Sequence, residues 1–488
     1  MTAPGRVPPF RLLPALLALL AGGGCLTVPD RSGGPPDLAP PPAWTAPTSP
    51  APGAPEPGPL PGWLRDEDAP GLREAIATSL ERNHDLGAAA ARLDAALAQA
   101  RAAGAPLLPQ VSAGGRSNRQ RMNFFGLPLP GSRGGVFPVT TTSWGLSLDV
   151  SWEADLWARL RAERLGARRE AEAGAADLAG ARLSLAAQVA KAWFARVAAA
   201  RAEEIAREEV DVARATLELA RSRYRGGLAD TAAVHEAERA LAEARAEVER
   251  AARGRDSATR QLEILLGEYP AGALDPRGDL GAALPPVPAG LPADLVSRRP
   301  DLRALEARVA ATDARLLAAR RALYPHLSLT ASGGTSTRAF RDLLDRDYEV
   351  WNLVTNLVQP LFQGGRLRGN VRVAQARVRE MLHTWTAAAL RAYGEVERAL
   401  AAESTFRAER VQRVRALEDA RAAEELARER YARGLADVTT LLDARRRRFA
   451  AARALLSLDN DRLANRIDLW LALGGDATVP APRREARR

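Results

Sequence analysis

The sequence predicts a mainly α-helical chain with a smaller β part, in which very long helices form a coiled-coil bundle and strands occur in two places. Three observations predict this class: an internal duplication, two long stretches without proline, and strands with alternating apolar residues. The chain has 488 residues, of which 46% are hydrophobic and only 5% aromatic. This composition suits long helices packed through small side chains better than one aromatic-rich core.

The two halves of the chain repeat each other. The segment LLPQVS at 107–112 matches LYPHLS at 323–328 with an offset of 216 residues, and RYRGGLAD at 223–230 matches RYARGLAD at 430–437 with an offset of 207. A fixed element order is therefore expected twice, once in each copy. The predicted copies are 71–290 and 291–475.

Each copy contains a very long stretch that favours helix. No proline occurs between Pro138 and Pro270 or between Pro360 and Pro480, while Ala, Leu, Arg and Glu dominate both stretches. A helix of about 100 Å does not fit inside one globular domain, so the pattern indicates a coiled-coil bundle. The predicted helices, joined in pairs by a tight turn, are 159–224 with 230–267 and 366–431 with 437–473.

Alternating apolar and polar residues predict strands ahead of each long helix. Between positions 143 and 152 every second side chain is apolar, which places those side chains on one face of a strand. We expect two strands within 108–153 and two within 325–362. A half-buried sheet of a water-soluble domain is one explanation, and a membrane-facing sheet is the other, because Trp at strand ends suits a membrane interface. The side chains expected to face lipid are Trp144, Leu146, Leu148, Val150, Trp351, Leu353 and Leu357.

Four strands per chain are too few for a closed membrane barrel. The smallest such barrels use eight strands, and open edges in lipid would leave backbone amides unpaired. Several chains must then share one barrel, and three chains would supply twelve strands, enough to enclose an aqueous lumen. On the membrane-facing interpretation, the sequence thus predicts a long α-helical coiled-coil bundle joined to strands that contribute to a barrel shared by several chains.

The N-terminal residues resemble an export signal followed by a lipid attachment site. Arginines precede a short apolar run, and small residues end at the lone cysteine, Cys25. The run is too short to span the ~30 Å hydrocarbon layer. We expect 1–24 to be a signal peptide and Cys25 to be lipidated, and the alternative is a plain signal peptide whose cysteine is discarded. The Pro- and Gly-rich segment 25–70 is then a tether without a fold, and 476–488 is a polar tail.

Composition excludes several classes of function. One cysteine and four scattered histidines cannot build a disulfide framework or a Cys/His metal cluster. No nucleotide-binding loop, metalloprotease helix or nucleophile elbow occurs, so we expect no catalytic residue, no metal and no cofactor, and the chain is not expected to be an enzyme. The net charge of +10 does not indicate nucleic-acid binding, because arginines alternate with acidic residues along the helices.

Several motifs together resemble those of a known family. These motifs are LDVSWEADLW at 148–157, GLPADL at 290–295, RPDL at 299–302, QPLFQGGRLR at 359–368 and the two RYxxGLAD turns. On these residues the chain resembles the TolC-like outer-membrane channels, and within them the lipidated OprM-type outer-membrane factors of resistance-nodulation-division multidrug efflux pumps. The resemblance runs from about residue 63 to residue 475.

The resemblance implies an assembly, a location and a function. The protein would be a homotrimer in the bacterial outer membrane, anchored by lipid such as palmitate. Its three chains would share a 12-stranded transmembrane β-barrel, and a long α-helical coiled-coil barrel would form a tunnel in the periplasm. It would export small molecules such as drugs passively, driven by an inner-membrane transporter through a periplasmic adaptor protein. The duct of a type I protein secretion system is the alternative with the same fold. A periplasmic coiled-coil scaffold is a weaker alternative, because it leaves the four strands unexplained.

The resemblance also assigns roles to the two turns and to the helix after the second turn. In TolC-like channels, acidic side chains beyond the second turn constrict the trimer, and here Asp443 occupies one such position while Thr440 occupies the other. The tyrosine before the turn is kept as Tyr431, whereas its carboxylate partner falls at Ala233. The residues expected to dock on the adaptor are Gly226, Gly227, Leu228, Arg433, Gly434 and Leu435.

Overall fold

The structure is a computed structural model that describes residues 43–46, 69–124, 137–281, 284 and 298–475. The expected signal peptide, Cys25, most of the expected tether and the expected polar tail lie outside the described residues.

The described chain contains one element order twice, with helical segments, two strands, a very long helix and a second helix. The elements of the first copy are α1 (Leu72–Arg82), α2 (His84–Ala102), β1 (Gln110–Phe124), β2 (Phe137–Ala154), α3 (Arg159–Arg225) and α4 (Thr231–Leu266). Those of the second copy are α5 (Pro300–Arg321), β3 (His326–Thr337), β4 (Glu349–Val358), α6 (Arg366–Ala432) and α7 (Val438–Ala472).

The long helices α3 and α6 have 67 residues each, which corresponds to about 100 Å. Both begin after a residue in the left-handed conformation, Ala158 with φ 59° and Gly365 with φ 83°. These two residues are 207 positions apart, as are the two turns, so the duplication extends to the backbone conformation. No helix within the described ranges is both long enough and apolar enough to cross a membrane.

The long helices lie side by side. Helix α7 packs against both α6 and α3, and α3 packs against α4, which gives the order α6, α7, α3 and α4. Small side chains such as Ala220 and Ala237 are buried where α3 meets α4, so the two backbones can approach closely. The shorter helices α2 and α5 pack near the start of α3, where Gly174 faces Leu93 and Gly166 faces Ala314.

The largest hydrophobic core lies halfway along α3. Trp193 and Phe194 of α3 belong to it, together with Ile76 of α1, Leu262 near the end of α4 and Ile467 near the end of α7. This cluster fixes the ends of α4 and α7 that are farthest from the turns. The opposite ends of these helices are held by smaller clusters.

The four strands form one antiparallel sheet in the order β1-β2-β3-β4. Strand β2 is paired on both sides, for example through Leu148 with Ala113 of β1 and with Gly333 of β3. A side chain at Gly334 would collide with the carbonyl oxygen of Leu146, so the close approach of β3 to β2 needs glycine there. Within the described chain, β1 and β4 are the two edges of the sheet.

The segment expected to be an unstructured tether contains a fixed point. Trp44 is only 9% exposed, and its ring lies 6.2 Å from the ring of Tyr393 on α6. The backbone N–H groups of the next two residues donate to the two carboxylate oxygens of Glu397 at 2.7 and 2.8 Å. An aromatic side chain and two backbone donors of this segment therefore have partners on α6, which the sequence did not predict.

Candidate functional sites at the hairpin tips and the strand sheet

Two turns of the same conformation connect α3 to α4 and α6 to α7. One residue in each turn has a left-handed backbone, Gly227 with φ 70° and Gly434 with φ 79°. Glycine adopts this conformation without steric cost, which explains its presence at these two positions. Gly226 and Arg433 have ordinary φ values of −82° and −79°, so the backbone does not require glycine at either position.

A leucine is exposed at the apex of each turn. The N–H of Leu228 donates to the carbonyl of Arg223, and the N–H of Leu435 donates to the carbonyl of Arg430, both at 2.8 Å. These bonds close the helix ends and fix the direction of the leucine backbone. The two leucines are 71% and 73% exposed, so both tips present an apolar side chain to the surroundings.

The helices after the turns begin with aspartate caps. The carboxylate of Asp230 accepts from the N–H of Ala233 at 3.0 Å, and that of Asp437 accepts from the N–H of Thr440 at 2.8 Å. The hydroxyl of Thr440 also donates to Asp437 at 2.5 Å, and this bond is the main cause that lowers the pKa of Asp437. The Thr440 side chain is therefore engaged at the start of α7.

Tyr431 lies between the two hairpins and is only 2% exposed. Arg223 of α3 donates to its carbonyl oxygen, and the guanidinium carbon lies 4.8 Å from the centroid of its ring. Burial raises the pKa of Tyr431, and the charge of Arg223 opposes that rise. Ala233, where the carboxylate partner of this tyrosine was expected, packs against the apolar cluster that contains Tyr431 and Leu441. The polar partner of Tyr431 is instead an arginine of the other hairpin.

Asp443 lies in the second turn of α7 and is ion-paired with Arg446 of the same helix. It is half-exposed and lines a cavity of about 260 Å³ between α4 and α7, to which Glu236 and Arg239 also contribute. The carboxylate therefore has a cation beside it within the chain. Arg446 was not predicted in this role from the sequence.

The arginine run that follows Asp443 ties α7 to two other helices. Glu424 of α6 is buried and accepts from Arg448 at 2.9 Å, while Arg445 lies 3.3 Å from its other oxygen. Arg448 also pairs with Glu208 of α3. Burial lowers the pKa of Arg445, and the charge of Glu424 opposes that effect. These pairs join three long helices just behind the second tip.

The strand register places all seven apolar residues singled out from the sequence on one face of the sheet. Leu148 is paired with Gly333, which is paired with Trp351, and the other rows follow the same alternation. The opposite face carries polar groups, where Ser147 donates to Asp149 at 2.8 Å. The remaining members of the apolar face are Trp144, Leu146, Val150, Leu353 and Leu357.

The residues that hold the tips and helices together were not predicted from the sequence. Arg223 and Tyr431 are 208 positions apart, and Arg448 and Glu208 are 240 positions apart. The recurrence of Arg-Tyr before both turns was visible in the sequence, but the cross-contact between the copies was not. Among the described residues, no group of three or more His, Cys, Asp or Glu side chains could hold a metal ion.

Comparison with known proteins gives consistent matches over nearly the whole chain. The family model described as outer membrane efflux protein matches residues 75–268 and 291–475. The chain is 32% identical over 480 residues to the pyoverdine export outer membrane protein OpmQ of Pseudomonas putida, covering 97% of this chain and 98% of that protein. It is 32% identical to the outer membrane protein OprJ of Pseudomonas aeruginosa, covering 83% and 84% of the two chains.

The fold agrees with these matches. The MtrE outer membrane channel of Neisseria gonorrhoeae, solved in its open state, superposes with a TM-score of 0.77 at 27% identity, covering 91% of this chain and 97% of that one. The fold class predicted from the sequence, that of the TolC-like trimeric channels, is confirmed. The resemblance to outer-membrane efflux proteins is confirmed as well, and the chain belongs to the outer membrane efflux protein family.

Proposed function

We propose that three copies of this chain form a passive export channel in the outer membrane. The observation that carries the proposal is the four-stranded sheet with its apolar face, whose edge strands β1 and β4 each pair on one side only with described residues. Open edges are costly in lipid, and pairing β4 of one chain with β1 of the next removes them. Three sheets then close into a 12-stranded barrel, with the polar face of Ser147 and Asp149 lining the lumen.

The long helices continue this channel away from the membrane. Four helices per chain, of which α3 and α6 are about 100 Å long, would give a twelve-helix tunnel in a trimer. The proposed cargo is small molecules, and two observations support it: the chain belongs to the outer membrane efflux protein family, and a relative is named as a pyoverdine export protein. The protein carries out no reaction in this proposal. The energy comes from an inner-membrane transporter through a periplasmic adaptor.

The adaptor is proposed to bind the two tips. Leu228 and Leu435 are the most exposed apolar side chains at these turns, and an apolar residue at each apex suits a helical-hairpin partner. Gly227 and Gly434 hold the backbone conformation, while Gly226 and Arg433 lie beside the leucines. Cys25 is the proposed lipid attachment point, and mass spectrometry of the purified protein should detect an acylated cysteine at its N-terminus.

The gate is proposed to lie at the start of α7, near the second tip. Asp443 would approach its two symmetry mates on the trimer axis, with Arg446 reducing the repulsion between the three carboxylates. Tyr431, held by Arg223, would fix the neighbouring hairpin in the closed arrangement. Thr440 supports the gate through the cap of Asp437 and does not supply a second acidic ring.

Reconstitution tests the proposal directly. The purified full-length protein should migrate as a trimer in native mass spectrometry and should produce discrete conductance steps in planar lipid bilayers. Cells that lack the gene should accumulate small dyes faster than the parent strain. A monomer that stays in the aqueous fraction and produces no conductance would contradict the proposal and would favour a periplasmic scaffold.

A further inference from the structure

The edge strand β1 carries two arginines on the apolar face of the sheet. Arg119 is paired with Thr142 and Arg121 with Thr140, two and four positions beyond the row of Trp144. Directly paired residues of an antiparallel ladder point to the same side, and the side alternates with every position. Both guanidinium groups therefore belong to the face that carries the leucines and tryptophans.

These arginines lie at the end of the sheet that is farthest from the helices. The apolar positions of β2 run from Ala154, close to the start of α3, to Trp144. Ten steps of about 3.4 Å, tilted by about 40°, give a band about 26 Å tall, close to the apolar band of outer-membrane barrels. Arg119 and Arg121 then lie about 7 and 14 Å farther along the strand. That position corresponds to the outer interface of the membrane.

An aromatic pair marks the same level. The ring of Trp144 makes an edge contact with Phe340, with centroids 5.2 Å apart. Aromatic side chains of membrane barrels gather where hydrocarbon meets the headgroups, and the cost of arginine on the lipid side falls steeply there. The two arginines thus sit directly outside an aromatic boundary, at a depth where a guanidinium group is tolerated.

The face has a surplus of positive charge at this level. Arg119 and Arg121 are exposed, and neither has an ion-pair partner among the described residues. Within the described strands, the acidic residue on this face is Glu349, which is paired with Thr335 at the edge next to the proposed neighbouring subunit. Two arginines against one glutamate leave one net positive charge per chain.

We propose that Arg119 and Arg121 form a basic rim that binds the phosphate groups of lipopolysaccharide in the outer leaflet. Each guanidinium group offers paired donors that match phosphate oxygens, and its charge is attracted to an anionic lipid surface. The outer leaflet is the lipid layer that this end of the sheet reaches when the helices extend into the periplasm. The proposal rests on the proposed trimeric barrel.

Lipid binding to the purified trimer tests the rim. The probes are bisphosphorylated lipid A, the same lipid with both phosphates removed, and phosphatidylglycerol. The double variant Arg119→Gln and Arg121→Gln should bind bisphosphorylated lipid A about 30-fold more weakly than the parent. The parent should bind the dephosphorylated lipid as weakly as the double variant binds bisphosphorylated lipid A. Arg116→Gln is the matched control, because Arg116 is paired with Gly145 on the polar face of the same strand.

The outcomes separate this inference from the channel proposal. Three results would each contradict the proposed rim. They are equal binding of lipid A by the parent and the double variant, an equal loss of lipid A binding in Arg116→Gln, and equal affinity of the parent for lipid A and phosphatidylglycerol. A double variant that loses trimers while keeping lipid binding would overturn it too and would indicate pairing with Glu349 across subunits. Trimer formation and conductance of the parent report on the channel separately from these lipid measurements.

Discussion

The guanidinium group of Arg223 lies over the ring of Tyr431 and also donates to the carbonyl oxygen of that residue. A second nitrogen of the same group lies 3.5 Å from the carbonyl of Leu228 at the first tip. One side chain therefore contacts both hairpins of the chain at the level where the channel is proposed to close. A movement that separates α7 and α6 from α3 has to break the contacts of Arg223 with Tyr431.

Arg223→Ala should favour the open state. The substitution removes a charged hydrogen bond worth about 1.5 to 3 kcal/mol and a cation–π contact worth about 0.5 to 2 kcal/mol. We propose that part of this stabilisation exists only in the closed state. We expect the open fraction in single-channel recordings to rise about tenfold or more. Tyr431→Phe is the matched control, since the phenol oxygen has no hydrogen-bond partner in the described part of the chain. Identical open fractions in the parent and Arg223→Ala would show that the contact persists in both states.

The element order was predictable from the sequence because its signals are local. Proline-free stretches give α3 and α6, glycine gives the left-handed residue of each turn, and period-two alternation gives the apolar face of β2. The pairing partners of Arg223 and Arg448 were not predictable, because they depend on which long helices become neighbours. The contact of Trp44 with α6 was not predictable from the proline-rich composition around it, because composition describes the average of a segment and not the packing of one aromatic residue.

Divalent cations should block the channel through Asp443, and Arg446 should limit that block. Three carboxylates around one axis attract cations, while an ion-paired arginine beside each reduces the attraction. In planar bilayers, Asp443→Ala should lose most of the block from the periplasmic side, and Arg446→Gln should strengthen it. Asp301→Ala, at the start of α5 and remote from the tips, should leave it unchanged. If all variants are blocked like the parent, Asp443 is not at the constriction.

Glu424 should contribute strongly to the attachment of α7. Removing it leaves Arg445 and Arg448 close together with their buried partner gone, and breaking such a buried pair costs about 3 to 5 kcal/mol. Glu424→Ala should therefore raise amide hydrogen exchange along the first half of α7 by at least about a hundredfold if that segment opens locally. Glu425→Ala is the control, because Glu425 is exposed and pairs only with Arg428 of the same helix among the described residues. Unchanged exchange in Glu424→Ala would show that the ion pairs of Glu424 do not hold α7 in place.

The second tip should loosen in acid. The pKa of Asp437 is lowered from its ordinary value of 3.8, mainly by the hydroxyl of Thr440. Its cap therefore stabilises α7 fully above pH 3.8 and loses that contribution as the pH falls below this value towards the lowered pKa. Exchange of the first turn of α7 should rise over this interval in the parent. Asp437→Asn keeps a cap acceptor that does not titrate, so its exchange should follow only the intrinsic pH dependence. Parallel profiles for the two proteins would mean that the cap does not control the tip.

Leu148 and Ser147 are adjacent in β2 and lie on opposite faces of the sheet, so arginine should have different effects at the two positions. Leu148 lies on the apolar face, and arginine there would meet hydrocarbon near the middle of the band, at a cost of about 2 to 4 kcal/mol per chain. Ser147 lies on the polar face beside Asp149, where an arginine would meet water and a carboxylate. Leu148→Arg should reduce the yield of assembled trimers in the membrane, whereas Ser147→Arg should assemble normally and reduce the conductance for cations. Both measurements use the same membrane preparations, with trimers quantified by native gel electrophoresis. Equal assembly defects in the two variants would mean either that the faces are reversed or that the strands do not lie in lipid.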